Sequence, residues 1–135
     1  MSEPQIRSRA DVETYIGHFN GKRYAEQIAY YAPDVRFSVG SMTLTSPQAI
    51  ADFYADFHQH VDEHVELLRF AITGDTVAGV LAARFEPRTT YDRNGLKFEA
   101  GQTYAFVTFL FYTLEEGKIR RIHMARYAGS ADDFR

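Results

Sequence analysis

The sequence predicts an α+β domain in which three N-terminal helices pack on a strongly curved, mixed or antiparallel sheet. Helical periodicity dominates as far as His64, and β patterns separated by turn residues follow as far as Tyr127. The run from Tyr104 to Tyr112 is apolar, aromatic or β-branched and has no glycine or proline, which is typical of a central strand buried on both faces. Because the strands are long, we expect the sheet to curl around the helices and enclose a conical cavity.

The first two helices are indicated by a cap and by apolar spacing. Ser8 and Asp11 have the spacing of a capping box, and the residues after them place one apolar face on a helix. That face consists of Val12, Tyr15, Ile16 and Phe19. After Asn20-Gly21 a second helix carries an apolar stripe, and Pro33 ends it. The stripe consists of Tyr24, Ile28 and Tyr31.

The third helix begins at Ser46-Pro47, with serine as the cap and proline in the first turn. It buries Ile50, Phe53, Tyr54, Phe57 and Val61. The strands are predicted from alternation and from turn dipeptides. They are Val35–Val39, a short partner carrying Met42 and Leu44, Val65–Thr73, Thr76–Tyr91, the central run and Ile119–Tyr127.

Composition excludes several function classes. The chain of 135 residues fits one domain, 1–135, with an ordered core of about 8–127 and a surface tail at Ser130–Arg135. A net charge of −3 gives no basic excess for nucleic acid, and the absence of cysteine excludes a disulfide, a thiol nucleophile and a cysteine-ligated metal. No apolar run is long enough to span a bilayer, and no signal peptide is evident, so we expect a cytoplasmic protein.

The order of elements from Val12 to Tyr127 resembles the nuclear transport factor 2-like superfamily, which includes SnoaL-like polyketide cyclases, ketosteroid isomerase, scytalone dehydratase and limonene epoxide hydrolase. The resemblance rests on four stretches in the expected order. They are Tyr30-Tyr31-Ala32-Pro33-Asp34, Val35–Ser41, Asp52-Phe53-Tyr54-Ala55 and Glu116-Gly117-Lys118-Ile119. It implies the fold and a small-molecule cavity, but the superfamily hosts several reactions as well as non-enzymes.

Turn geometry predicts which residues face that cavity. A two-residue turn at Asn94-Gly95 pairs Phe85 with Tyr104, and the turn at Glu116-Gly117 pairs Leu110 with Ile122. With the face that the resemblance assigns to the pocket, and with the apolar helix positions, we predict twelve substrate-binding residues. They are Phe19, Phe37, Phe57, Leu81, Phe85, Tyr104, Phe106, Thr108, Leu110, Ile122, Met124 and Arg126. The opposite face holds Val80, Ala82, Val107, Phe109 and Phe111. We expect a homodimer through the sheet to cover that second face.

The resemblance also implies catalytic tyrosines. Tyr15, Tyr31 and Tyr54 match three tyrosines that form a hydrogen-bonded network in some ketosteroid isomerases, so Tyr15 would donate to a developing oxyanion with Tyr54 and Tyr31 behind it. The alternative is that all three are core tyrosines with satisfied hydroxyls. The catalytic carboxylates of the relatives fall on apolar residues of this chain. These are Phe37, Leu110 or Phe109, Ala83 and Met124.

Histidine is therefore the candidate base. His58 lies one turn after Tyr54 and His18 lies three residues after Tyr15, and each could approach the cavity or face solvent. His60 and His64 have the i, i+4 spacing of metal ligands, with Glu63 and Glu66 nearby, but without a third ligand they indicate a solvated helix end. No metal site and no cofactor is expected.

Two functions remain open. The first is a cofactor-independent isomerase, cyclase or lyase that acts next to a carbonyl of a small, apolar, oxygenated molecule, with Tyr15, Tyr54, His58 and His18 as catalytic candidates. The second is a non-catalytic ligand-binding or dimerisation domain, which the missing carboxylates favour. Arg126 would hold a substrate carboxylate or phenolate, or else pair with Glu99.

Overall fold

The computed structural model describes residues 3–135, and it confirms the predicted fold class. Three α-helices in this range, α1 (Arg9–Asn20), α2 (Tyr24–Ile28) and α3 (Pro47–Phe57), pack against a curved sheet. Its six strands are β1 (Tyr31–Val39), β2 (Met42–Leu44), β3 (Val61–Thr73), β4 (Thr76–Pro87), β7 (Tyr104–Glu115) and β8 (Lys118–Tyr127), in the order β2-β1-β8-β7-β4-β3. Strands β5 (Tyr91–Arg93) and β6 (Leu96–Phe98) form a separate hairpin. Among the strands of residues 3–135, only β1 and β8 pair in parallel.

Serine caps begin the two long helices, as the sequence predicts. The Ser8 side chain accepts from the backbone N–H of Asp11 at 3.4 Å, and Ser46 accepts from that of Ala49 at 3.1 Å. Pro47 occupies the first turn of α3, where its missing N–H has no intrahelical partner to lose. No helix within residues 3–135 is long and apolar enough to cross a membrane.

The predicted second helix is too long. Helix α2 ends at Ile28, and Tyr31 begins strand β1 instead of completing a helical stripe. Tyr31 pairs with Ile119 of β8, but the ladder is irregular from there to Arg36. This interval contains Pro33, which has no N–H to donate, so the strand tolerates it at a break in the pairing.

The boundary between α3 and β3 also differs from the prediction. Helix α3 ends at Phe57, and β3 begins at Val61, so Val61 is not helical and His60 and His64 share no helix face. Val61 and Val65 are buried, and Glu63 lies between them on the same side of the strand. This assignment turns a predicted solvated helix end into the first inward-facing positions of a strand.

The register predicted from Asn94-Gly95 is confirmed, since Phe85 pairs with Tyr104. Strand pairing is interrupted after Pro87, however, and the turn itself belongs to the β5–β6 hairpin. Asn94 and Gly95 have φ values of 59° and 75°, as a two-residue turn with both central residues in the left-handed region requires.

The register predicted across β7 and β8 is wrong by two residues. Leu110 pairs with Met124, and not with Ile122. The turn pairs Glu115 with Lys118, which moves the register by one residue from the predicted one, and an irregularity between Thr113 and Leu114 adds one more residue on the β8 side. A shift by two leaves every side chain on its predicted face, since the side-chain period of a strand is also two.

The C-terminal residues fold back onto the outer face of the sheet. A 3₁₀ helix, Ala131–Phe134, brings Phe134 against Phe109 with ring centroids 5.7 Å apart, and Tyr127 stacks on Phe109 at 5.1 Å. Tyr127 and Phe134 pack on a small cluster of buried outer-face residues, Leu68, Val80 and Val107. The predicted surface tail therefore covers part of the face that was expected to be covered by a second copy.

Candidate active site

A cavity of about 230 Å³ lies between the helices and the concave face of the sheet. Nine of the twelve predicted substrate-binding residues line it, but their role as ligand contacts stays a prediction. The nine are Phe19, Phe37, Phe57, Leu81, Phe85, Thr108, Ile122, Met124 and Arg126. Helix α1 contributes Tyr15, α3 contributes Tyr54, and the β5–β6 hairpin closes one side with Leu96 and Phe98.

The other three, Tyr104, Phe106 and Leu110, do not line the cavity. Tyr104 packs its ring on Phe98 at 5.2 Å and accepts a hydrogen bond from the backbone N–H of Glu99. Phe106 is covered by the guanidinium of Arg126, and Leu110 is buried in the main core. These three side chains lie on the predicted face of the sheet, but neighbouring side chains separate them from the cavity.

Glu63 is a cavity-lining residue that the sequence analysis missed as a site residue. Its side chain is 9% exposed, and its Oε1 lies 3.0 Å from Nε2 of His58. Burial raises the pKa of Glu63 above its ordinary value of 4.5, and the hydrogen bond and charge of His58 offset part of that rise. Val61, Glu63 and Val65 alternate along β3, and this pattern predicts an inward-facing Glu63 when the strand begins at Val61 instead of at the predicted Val65.

His58 lies behind Glu63 and does not itself line the cavity. It ends α3 as the C-cap residue and is 4% exposed. Its Nδ1 lies 2.6 Å from the Tyr24 hydroxyl. In neutral His58, a Tyr24 O–H that donates to Nδ1 leaves the Nε2–H free to donate to the Glu63 carboxylate. His58 therefore positions the cavity carboxylate, which differs from the predicted role as the base that contacts substrate.

His18 also stays outside the lining of the cavity. It is half-buried in the last turn of α1, and its Nδ1 accepts a hydrogen bond from Arg23 Nε at 3.1 Å. The shared helix face of Tyr15 and His18 did not bring the imidazole to the site, because its ring lies beside Tyr30 at 6.3 Å. His18 makes no hydrogen bond with Glu63.

Three neutral polar side chains form a chain at the cavity wall. The hydroxyls of Tyr15 and Tyr31 are 2.6 Å apart, and Gln27 Nε2 donates to the Tyr31 hydroxyl at 3.0 Å. Burial raises the pKa of Tyr31 to about 12, although the hydrogen bonds from Tyr15 and Gln27 lower it. The pKa of Tyr15 lies well above its ordinary value, chiefly through burial and then through the charge of Tyr31. All three side chains are therefore neutral near pH 7.

Tyr54 is not part of that chain, contrary to the predicted network. Within residues 3–135 its hydroxyl makes no hydrogen bond, and its ring stacks near Phe37 and His58 at centroid distances of 6.5 and 5.5 Å. Burial and then the nearby charge of Glu63 hold the pKa of Tyr54 well above its ordinary value. The cavity thus holds a neutral phenol close to a carboxylate, and the phenol is free to donate to a ligand oxygen.

This combination supports general acid–base chemistry. A carboxylate whose pKa is raised by burial is, when ionised, a stronger base than an ordinary carboxylate. A neutral phenol in a cavity with little water stabilises negative charge that develops on an oxygen. Among the described residues that line the cavity, Glu63 is the only carboxylate and Arg126 the only cation.

The chain matches the family model described as "SnoaL-like domain" over residues 12–122. A candidate polyketide cyclase from Xanthomonas campestris is 22% identical, with a TM-score of 0.72 and 84% of each chain covered. A protein with a ketosteroid isomerase-like fold from Catenulispora acidiphila, in complex with trimethylamine, is 12% identical, with a TM-score of 0.73 and coverage of 95% of this chain and 93% of that one. An LEH-like epoxide hydrolase from M. tuberculosis is 13% identical, with a TM-score of 0.68 and coverage of 86% of this chain and 79% of that one. A comparison with curated proteins gives no match. At these identities the solved structures establish the fold alone.

Proposed function

Since the chain belongs to the SnoaL-like domain family, we propose that it is a cofactor-independent enzyme that moves a proton next to a carbonyl of a small, largely apolar substrate. The observation that carries this proposal is the buried carboxylate of Glu63 at the cavity wall, hydrogen-bonded to His58 at 3.0 Å. A cavity that only had to hold an apolar ligand would not need an ionisable group there.

Glu63 is the general base of the proposed reaction. Its carboxylate takes the proton from the carbon beside the carbonyl, the C–H electron pair forms a carbon–carbon double bond, and the carbonyl oxygen becomes an oxyanion. Tyr54 donates to that oxygen. Tyr15 ranks second as a donor, because the Tyr15 hydroxyl is already bonded to that of Tyr31. Return of the proton to a different carbon completes an isomerisation, whereas attack by the enolate or loss of a leaving group gives a cyclisation or an elimination.

The size of the cavity limits the substrate. About 230 Å³ is less than the roughly 300–1,000 Å³ typical of sites for drug-sized ligands, so the substrate is smaller than those. Apolar and aromatic walls surround the polar groups, which favours a substrate with one or two rings or a short branched chain. The walls also exclude water and so strengthen the hydrogen bond from Tyr54.

Proton exchange tests the proposal without knowledge of the product. In D₂O, nuclear magnetic resonance of small aryl and alkyl ketones should show protein-catalysed deuterium uptake at the carbon beside the carbonyl. Glu63→Gln should lower this rate by about 10²–10⁴-fold, as expected for loss of a general base. Glu26→Gln, an exposed glutamate on α2, is the matched control and should leave the rate unchanged. Exchange by Glu63→Gln at the rate of the unaltered protein would exclude Glu63 as the base.

Ligand binding without turnover is the second candidate function. It is favoured by apolar side chains where the catalytic carboxylates of relatives would fall, since Phe37, Ala83 and Met124 all line the cavity. A panel of ketones that protects the protein against thermal unfolding but shows no deuterium uptake at any pH from 5 to 9 would support this candidate over the enzyme.

We also propose that the remaining apolar part of the outer sheet face joins two copies of the chain. Phe111 is 46% exposed and Phe109 is 39% exposed, even with Phe134 packed beside Phe109. Apolar side chains grouped on one sheet face favour burial against a second surface. Sedimentation should give a dimer for the unaltered protein and a monomer for Phe111→Asp. A monomer in both samples at micromolar concentration would contradict the proposal.

A further inference from the structure

We infer that Arg126 is the specificity-determining residue of the cavity and that the ligand carries a single carboxylate, which the Arg126 guanidinium binds. This inference rests on the proposed function only in using the same cavity. Arg126 lies near the end of β8 and is the one cation among the described residues that line the cavity. The ligand chemistry follows from how this side chain is held and from what surrounds it.

The guanidinium is held in place without being neutralised. Its carbon lies 3.6 Å from the centroid of the Phe106 ring, so one face of the planar group is covered by the aromatic ring. Stacking of this kind leaves the N–H edges free for a bidentate contact in the plane of the group. Within residues 3–135, Arg126 makes no ion pair and no side-chain hydrogen bond.

The competing pairing partner is engaged elsewhere. Glu99, which the sequence offered as a partner for Arg126, instead lies 3.3 Å from Lys97 on the β5–β6 hairpin. Two other arginines of the sheet do have carboxylate partners, Arg84 with Glu86 at 2.8 Å and Arg120 with Asp34 at 3.0 Å. Arg126 is exposed and has no carboxylate partner among the described residues, and unlike the other unpaired arginines of the sheet it lines the cavity.

A neighbouring hydroxyl supplies a second donor. Thr108 pairs directly with Arg126 across β7 and β8, and its side chain also lines the cavity. Side chains of such cross-strand pairs have Cβ atoms about 5 Å apart, so Thr108 and Arg126 leave the sheet at neighbouring positions on the same face. The Thr108 hydroxyl makes no hydrogen bond to any part of the chain that the structure describes. One guanidinium and one hydroxyl together match the acceptor pattern of a carboxylate.

The charge balance favours a monoanion. Glu63 brings a negative charge to the same cavity, and the chain as a whole carries −3, so a phosphate dianion would meet one cation and a net negative surrounding. Strands β4 and β7 separate the strand of Glu63 from that of Arg126, so a carboxylate at Arg126 is kept apart from the base. The proposed ligand thus has its carboxylate at β8 and its reacting carbonyl between Tyr54 and Glu63.

Matched probes test this assignment through binding. 4-Acetylbenzoate and 4-acetylbenzamide have nearly the same size and the same ketone, and they differ in charge. Calorimetry at low ionic strength should show that the protein binds the carboxylate about ten-fold or more tightly than the amide, as expected for hydrogen bonds to a charged group. Arg126→Met should abolish this preference, and Arg36→Met, at an exposed arginine of β1, should retain it.

The outcomes separate this inference from the proposed function. Equal binding of the two probes, tighter binding of the amide, binding of neither, or a carboxylate preference that survives Arg126→Met would each overturn it. The same measurements on Glu63→Gln should show the preference intact, because that variant keeps Arg126. A preserved carboxylate preference without deuterium uptake would refute the enzyme proposal alone, and uptake without a preference would refute the role of Arg126 alone.

Discussion

The stability of Glu63→Gln as a function of pH tests whether the site holds a destabilised carboxylate. Glutamine has nearly the same shape as glutamate and keeps an oxygen that accepts the hydrogen bond from His58 Nε2, which lies 3.0 Å from Glu63 Oε1. The substitution therefore removes the ionisation of residue 63 with little change in packing. Any change of its effect with pH reports on the ionisation of Glu63 together with its coupling to His58.

The sign follows from the raised pKa of Glu63. Burial favours the neutral carboxyl in the folded state, so the stability from this group is fully present below pH 4.5 and is lost as pH rises through the raised pKa. Above that pKa, the free energy of unfolding of the unaltered protein falls by about 1.4 kcal/mol for each unit of the upward shift. Glutamine does not titrate, so the variant should gain stability relative to the unaltered protein from pH 4.5 upward, until the carboxylate is fully ionised.

The groups that face Glu63 do not reverse this expectation. Tyr24 and Tyr54 both have pKa values raised by burial, so they stay neutral between pH 4 and 8. His58 is present in both proteins, and the variant His58→Gln with and without Glu63→Gln isolates its coupling to the carboxylate. A double-mutant cycle therefore separates the desolvation of Glu63 from its interaction with His58.

Urea unfolding at whole pH units from 4 to 8 is the assay. For a domain of this size, about 1 kcal/mol corresponds to roughly 4 °C in Tm, so thermal unfolding gives an independent measure. Glu26→Gln, at an exposed position, should show no systematic change with pH. A difference between Glu63→Gln and the unaltered protein that shrinks as pH rises would refute the reasoning, because it would mean that His58 holds Glu63 as a stabilised ion pair.

Three further substitutions test the wall, the hairpin and the outer face. Tyr54→Phe should lower deuterium uptake more than Tyr15→Phe, by about ten-fold or more, because only the first removes a phenol with no partner in the described chain; equal losses would contradict this. Gly40→Ala should lose about 2 kcal/mol more stability in urea than Gly74→Ala: both have φ near +57°, but only the Gly40 Cβ would lie 2.1 Å from a backbone oxygen of the β5–β6 turn. Phe134→Ala should lower the free energy of unfolding by about 1–2 kcal/mol and leave the rate of deuterium uptake unchanged. A loss of deuterium uptake in this variant would mean that the C-terminal residues reach the cavity.

Local chemistry was sufficient to predict much of the fold. The serine caps and the Asn94-Gly95 turn act over a few residues, and they determined the helix starts and the pairing of Phe85 with Tyr104. Half of the two-residue error across β7 and β8 arose at the turn, where Glu115 pairs with Lys118, and half at an irregular position between Thr113 and Leu114, which no composition signal marks. It did no harm to the cavity face, because a two-residue slip restores the side-chain period.

Long-range pairing explains the error at Tyr31. Its spacing from Tyr24 and Ile28 suits a helix, and the strand alternation in the sequence begins only at Val35. Tyr31 is part of β1 because it pairs in parallel with Ile119, which lies 88 positions further along the chain. Local propensity gives way to such tertiary contacts, and single-sequence reasoning does not include them.

The error at Glu63 had a different cause and a larger consequence. The positions that the family resemblance matches to catalytic carboxylates are apolar in this chain, as at Phe37 and Met124, so the resemblance indicates no carboxylate in the cavity. The proposed proton transfer, however, requires only a carboxylate that points into the cavity beside the substrate carbonyl. Any strand position on the concave face around the cavity can supply that carboxylate. Glu63 satisfies this condition from β3, and its neighbour His58 supplies the hydrogen bond that keeps the carboxylate oriented.

A buried carboxylate also bears on the choice between enzyme and binding protein. The raised pKa of Glu63 means that its ionised form lowers the stability of the folded protein near neutral pH. An amide at position 63 would keep the hydrogen bond to His58 and avoid that loss, and it would serve ligand binding equally well. An amide supplies no proton acceptor, so the ionisable group at this position supports the proposed proton transfer over ligand binding alone. If Glu63→Gln proved both more stable and equally active, this explanation would fail.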